Sequence, residues 1–176
     1  MTRSQLEHII RAATTIADDV ALVIVGSQSV LGQFPNAPEE LLVSDEADVF
    51  PLNFPDRADL IDGCIGEGSA FHDTFGYYAQ GVGEETSVLP RGWRERLIPV
   101  QNANTRHATG LCLEIHDLVL AKLVAGREKD RRFTGAAARH GLVNREVLVA
   151  RLDDIAIDTP MREVVLGRIA IDFAAA

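Results

Sequence analysis

The run Ala21-Leu22-Val23-Ile24-Val25, five apolar residues closed by Gly26-Ser27, constrains the fold of this chain more than any other feature. A continuous apolar run of that length, rich in β-branched residues, reads as a strand buried on both faces. A strand of that kind needs neighbours in the sheet and covering layers above and below it. Helical spacing supplies one such layer just before it. Leu6, Ile9, Ile10, Ala13 and Ile16 fall on one face of a helix expected over 4–16, with Ser4 as its N-cap.

The remaining pattern alternates in the same way. A short helix is expected over 28–33, broken by Phe34-Pro35-Asn36-Ala37-Pro38, and another short turn of helix over 38–42. Residues 46–50 read as a strand with Glu46, Asp48 and Phe50 on one face and Ala47 and Val49 on the other. A helix over 57–65 follows, then a Gly-rich stretch with a strand-like piece at 77–82, and strands at 97–100 and 109–115. From there the pattern is helical: 116–125 stopped by Gly126, 129–140 stopped by Gly141, 145–152 capped by Asn144, and a last helix opened by Thr159-Pro160. The expected fold class is therefore α/β (α+β). A mixed sheet flanked by helices occupies 1–115, and a helical part over 116–176 packs on it to make a single compact unit.

Composition narrows the function classes. Hydrophobic residues make up 47%, which excludes a disordered chain. The longest apolar run is far too short for a membrane span, and the first residues lack a signal-peptide core, so no membrane partner and a cytoplasmic location are expected. Cys64 and Cys112 have no ligand spacing and read as buried thiols of a reducing compartment, with no zinc site. The formal charge of −9 is uneven: residues 1–90 carry −12, residues 91–151 carry +6, and the remainder −3. An acidic half followed by a basic segment suits metal ions held beside a polyphosphate, and equally suits solvated surface.

Three local features bear on chemistry. A buried strand ending in Gly26-Ser27 at a helix start offers unpaired N–H groups and close backbone approach, which suits phosphate. Glu46 and Asp48 point the same way from one strand; they read either as the polar face of an exposed edge strand or, since like charges so placed favour a cation between them, as a candidate Mg²⁺ site. Lys122, one of only two lysines beside fifteen arginines, interrupts an apolar helix face. It is read either as a snorkelling side chain or as a point charge for a phosphate. Trp93 with Arg91, Arg94 and Arg96 reads as a surface turn or as a contact for an RNA base and phosphates.

In combination these motifs resemble the minimal nucleotidyltransferase superfamily, and more narrowly the AbiEii-type nucleotidyltransferase-like proteins, many of them bacterial toxins of toxin–antitoxin systems. The matching stretches are Val25-Gly26-Ser27, Ser44-Asp45-Glu46-Ala47-Asp48-Val49, and 117–123 followed by Lys129-Asp130, in the family's order. The resemblance implies transfer of a nucleoside monophosphate from an NTP to a hydroxyl of an RNA such as tRNA, or of a protein. Glu46, Asp48, Lys122 and Asp130 would be catalytic, and Gly26, Ser27 and Lys129 would bind the triphosphate. Glu46 and Asp48, with Glu114 as a third carboxylate, would hold Mg²⁺, and a cognate antitoxin is an implied partner. Two departures stand out: Glu46 occupies a position where the family usually has Asp, and the segment between Ser27 and Glu46 is long. They point to the alternative of a catalytically inactive binding or regulatory module of the same fold.

Overall fold

The computed structural model describes residues 1–175 and divides the chain into two compact units, Met1–Thr86 with Leu97–Leu113, and Ser87–Arg96 with Glu114–Ala176. The expected division at 115/116 falls at 113/114. The segment Ser87–Arg96, expected with the α/β part, belongs instead to the helical unit. Two contacts explain the reassignment. The Arg91 N–H donates to the Asp154 carbonyl at 3.0 Å, and Arg96 pairs with Asp117 at 2.8 Å.

The first unit is a five-stranded mixed sheet with helices. Its elements in chain order are α1 (Arg3–Ala17), β1 (Ala21–Ile24), α2 (Val30–Gln33), β2 (Glu46–Pro51), α3 (Ala58–Ile65), α4 (Ala70–Phe75), β3 (Tyr78–Gly81), β4 (Ile98–Val100) and β5 (Thr109–Cys112). The strand order is β3-β2-β1-β5-β4. β1 therefore lies in the centre, antiparallel to β2 and parallel to β5, and all four of its residues are buried as the apolar run requires. Leu6, Ile9, Ile10, Ala13 and Ala17 form the buried face of α1. Ala17 takes the place expected for Ile16, because the helix runs one residue further, to a left-handed Asp18.

Two expectations for this unit are corrected. Thr2, not Ser4, caps α1: its hydroxyl accepts the Gln5 N–H while the Gln5 side chain accepts the Thr2 N–H, a reciprocal box that needs Thr and Gln three residues apart. Cys64 is exposed, because the buried stripe of α3 is Ala58, Ile61 and Ile65 and Cys64 falls at its edge; Cys112 is buried as expected, and burial pushes its thiol up to about 12. The Gly-rich stretch also hides α4, a helix of six residues capped by Ser69 and ended by Gly76 in the left-handed region (φ 72°).

The second unit contains α5 (Ile115–Ala125), α6 (Glu128–Arg139), α7 (Arg145–Leu152) and α8 (Thr159–Ala174). Each end has a local cause. Gly126 (φ 66°) terminates α5, Asn144 accepts the Val147 N–H to open α7, and Asp158 accepts the Met161 N–H to open α8, with Pro160 in the first turn. No helix among the described residues is long and apolar enough to cross a membrane.

Candidate functional site

At the end of β1 the chain turns through Gly26 into a single 3-10 turn, Ser27–Ser29, and then α2. The Val25 N–H donates to the Asp48 carbonyl at 3.0 Å, which fixes the tip of β1 against β2. The Asp48 side chain lies directly over Gly26. A β-carbon added at Gly26 would sit 1.6 Å from Asp48 Oδ2 and 2.6 Å from its Cγ. The backbone of Gly26 has φ −82°, which any residue adopts, so the glycine is required by proximity and not by conformation. The Gly-Ser turn and the second carboxylate thus meet within one unit.

Glu46 and Asp48 are both half-buried, and alternation along β2 puts them on one face. Parallel pairing with β3 sets Tyr78 opposite Glu46 and Gln80 opposite Asp48, so these four side chains share that face. The Tyr78 phenol registers the local field: burial pushes it up, and the charges of Glu46, Glu67, Asp48 and Asp45 push it further in the same direction. Arg57 is the cation nearest in sequence to the pair. Its guanidinium donates to the Ala17 carbonyl at 2.7 Å and lies over the Phe54 ring at 4.1 Å. The long segment between Ser27 and Glu46 is tethered beside the turn: fully buried Gln28 donates from Nε2 to the Ser44 carbonyl at 2.8 Å. Gln28 Oε1 and the Ser29 hydroxyl are buried and make no hydrogen bond.

The donor chemistry suits Mg²⁺. Hard carboxylate oxygens are its ligands, and it is usually bound through one or two carboxylates together with substrate phosphates instead of a closed protein cage. Among the described residues no group of three or more His, Cys, Asp or Glu side chains is placed to hold a metal. The pair Glu46 and Asp48 fits the open kind of site.

The other expected site residues lie in the helical unit. Lys122 is almost buried, with Nζ 3.2 Å from Asp130 Oδ1 and 4.8 Å from the centre of the Phe133 ring. Asp130 is fully buried and also receives Arg127 at 2.6 Å. Burial raises its carboxyl, but the Arg127 hydrogen bond and the Lys122 charge outweigh this and hold it below the usual carboxylate range. Asp130 therefore pairs with Lys122, whereas Lys129 is exposed.

Glu114 is the N-cap of α5. It accepts the His116 N–H at 3.1 Å and His116 Nδ1 at 2.7 Å, and it pairs with Arg151, which also reaches buried Asp117 at 2.9 Å. Burial raises its carboxyl, but His116 and Arg151 lower it further, to about 2. These contacts tie both carboxylate oxygens to His116 and Arg151. Arg96, expected beside Trp93 for RNA, donates to both oxygens of Asp117, at 2.8 and 3.2 Å.

A pH dependence follows from Glu114. A carboxyl depressed from 4.5 to about 2 contributes stability that is complete above the unfolded value and lost as the pH falls from about 4.5 to 2. Its side chain is only 12% exposed, so the contribution approaches about 3 kcal/mol. Glu114→Gln is expected to be less stable than wild type in urea at neutral pH, with the gap narrowing as the pH drops through that window. A gap independent of pH would contradict this account.

A family model described as a nucleotidyltransferase of unknown function (DUF6036) matches residues 4–164, a span that includes every site residue named above. This chain belongs to that family. No curated protein and no solved structure matches it. The nucleotidyltransferase assignment accords with the five-stranded mixed sheet and with the meeting of Gly26 and Asp48.

Sequence reasoning missed several of these residues. Tyr78 and Gln80 join the acid face only through the β2–β3 register, which local pattern does not carry. Gln28 opens the short helix expected over 28–33, and nothing in the sequence marks it for burial. The Asp117–Arg96–Arg151 network joins positions scattered from 96 to 151, and no spacing rule links them.

Proposed function

We propose that the chain transfers a nucleoside monophosphate from an NTP to a hydroxyl acceptor at the face formed by Gly26, Ser27, Glu46 and Asp48. The observation that carries this reading is the Asp48 carboxylate lying so close over Gly26 that a β-carbon there would overlap it, 1.6 Å from Oδ2. In the reaction the acceptor oxygen attacks the α-phosphorus, the bond to the bridging oxygen of pyrophosphate breaks, and pyrophosphate leaves. Backbone N–H groups at Gly26 and Ser27 would receive the triphosphate. Glu46 and Asp48 would hold Mg²⁺, which when bound offsets charge on the attacking and leaving oxygens. Positioning and electrostatics supply most of the acceleration in transfers of this kind.

The acceptor class is the hydroxyl of an RNA such as tRNA, or of a protein; the +6 balance of residues 91–151 is compatible with an RNA, and the net charge of −9 argues against tight non-specific RNA binding. The order of the motifs supports the finer reading of an AbiEii-type toxin with a cognate antitoxin. Growth arrest on expression, relieved by Asp48→Ala, would be its signature. A second reading, an inactive module of the same fold, is favoured by Glu46 in place of Asp and by the long segment between Ser27 and Glu46.

Incubation with each labelled NTP, Mg²⁺ and total RNA separates the two. Asp48→Ala is expected to lower labelling at least about 100-fold, because it removes one of the two charges that hold the metal. Equal labelling by wild type and variant, or none by either, would falsify the transferase reading.

A further inference from the structure

The two adjacent tyrosines of this chain have different fates. Tyr77 is buried, its hydroxyl 2.7 Å from His8 Nδ1 and its ring packed near Phe71 and Phe75. Tyr78 begins β3, is half-buried, and stands opposite Glu46 in the parallel register with β2. Neighbouring strands are about 4.8 Å apart, and paired residues of parallel strands project to the same side. The phenol therefore rises from the face that carries Glu46 and Asp48.

Its ring is also held. The imidazole of His72 lies tilted against it, with centroids 4.6 Å apart. His72 in turn accepts the Gly68 N–H at Nδ1 at 3.0 Å, and its own N–H donates to the Ser69 hydroxyl at 3.2 Å. A tyrosine whose ring is held on the same sheet face as the carboxylates that would hold the metal starts near the transfer site, and bringing an acceptor to a phosphate is the costly part of such a reaction.

We propose that Tyr78 is itself an acceptor, so that the chain nucleotidylates its own site. This rests on the transferase reading above and names a protein hydroxyl, in cis, among its acceptors. The phenolic oxygen attacks the α-phosphorus of the NTP bound at Gly26-Ser27. The bond between that phosphorus and the bridging oxygen breaks, pyrophosphate leaves, and the phenolic proton passes to water. The product is a tyrosyl nucleoside monophosphate ester. Its phosphate would lie on the acid face where the next NTP must bind, so the modification limits further transfer.

The test uses the full chain with each of the four NTPs and Mg²⁺, read by intact mass and peptide mapping, with a parallel reaction on total RNA. The expected result is a single added nucleotidyl group on Tyr78, absent from Tyr78→Phe and from Asp48→Ala. Wild type that labels RNA but carries no adduct on Tyr78, or an adduct that survives Tyr78→Phe, overturns self-modification and leaves the transferase reading standing. A chain that labels neither itself nor RNA overturns both. A second measurement needs no turnover: Mn²⁺ added as a paramagnetic substitute should broaden the Tyr78 ring resonances, assigned by difference from Tyr78→Phe, in wild type and not in Asp48→Ala. Ring signals indifferent to Mn²⁺ in wild type overturn the placement of the phenol beside the metal.

Discussion

Gly26→Ala is expected to abolish nucleotidyl transfer while the chain still folds. The added methyl would sit 1.6 Å from Asp48 Oδ2, 2.6 Å from Cγ and 3.0 Å from Cβ, so the whole carboxylate must swing away. Backbone strain plays no part, since φ at Gly26 is −82°. Overpacking of this kind costs about 1–3 kcal/mol in stability, which a folded domain tolerates. Catalytic positioning tolerates far less, and an ångström of misplacement costs on the order of 100-fold in rate. Labelling of RNA by the variant, alongside its urea midpoint, decides the matter. Transfer within about threefold of wild type would show that Asp48 is not held where the chemistry needs it.

The second large effect concerns stability instead of chemistry. Asp130→Ala is expected to destabilise the chain by about 3 kcal/mol or more, because it breaks an ion pair whose two side chains are 0% and 10% exposed. Arg127, the other cation on this carboxylate, is 63% exposed and can turn to water at small cost. A double variant, Asp130→Ala with Lys122→Met, should recover part of the loss, since it removes the buried charge along with its counter-charge. The contribution of Asp130 also has a pH sign. Its carboxyl lies below the ordinary value, so the stabilisation is present above that value and fades as the pH falls through the native one. A urea midpoint for Asp130→Ala equal to that of wild type at neutral pH would remove the pair from any account of this fold.

These two variants probe residues of different legibility. Gly26 and Asp48 each stand in a short motif, and their residue types already suggest phosphate and metal. Their contact could not be read, because it depends on the antiparallel pairing of β1 with β2 across more than twenty residues. Lys122 and Asp130 are eight residues apart on consecutive helices, a spacing that Gly126 makes possible by ending α5. Glu114 shows the opposite failure. As a lone carboxylate at the end of an apparent strand it resembles a metal ligand, yet it is the N-cap of α5, bound by Arg151 from thirty-seven residues away.

The amino-acid sequence by itself determined the central strand, most helix ends and the order of the motifs. Each of these depends on neighbours within a turn or two: unbroken apolar character for β1, Gly126 and Asn144 for helix ends. The tertiary structure alone decided which charged groups meet. It put Tyr78 and Gln80 beside the acid pair, gave Arg96 to Asp117, and assigned Ser87–Arg96 to the helical unit. The physical reason is that strand register and ion pairing are long-range choices, fixed by burying whole faces at once. No local pattern records them.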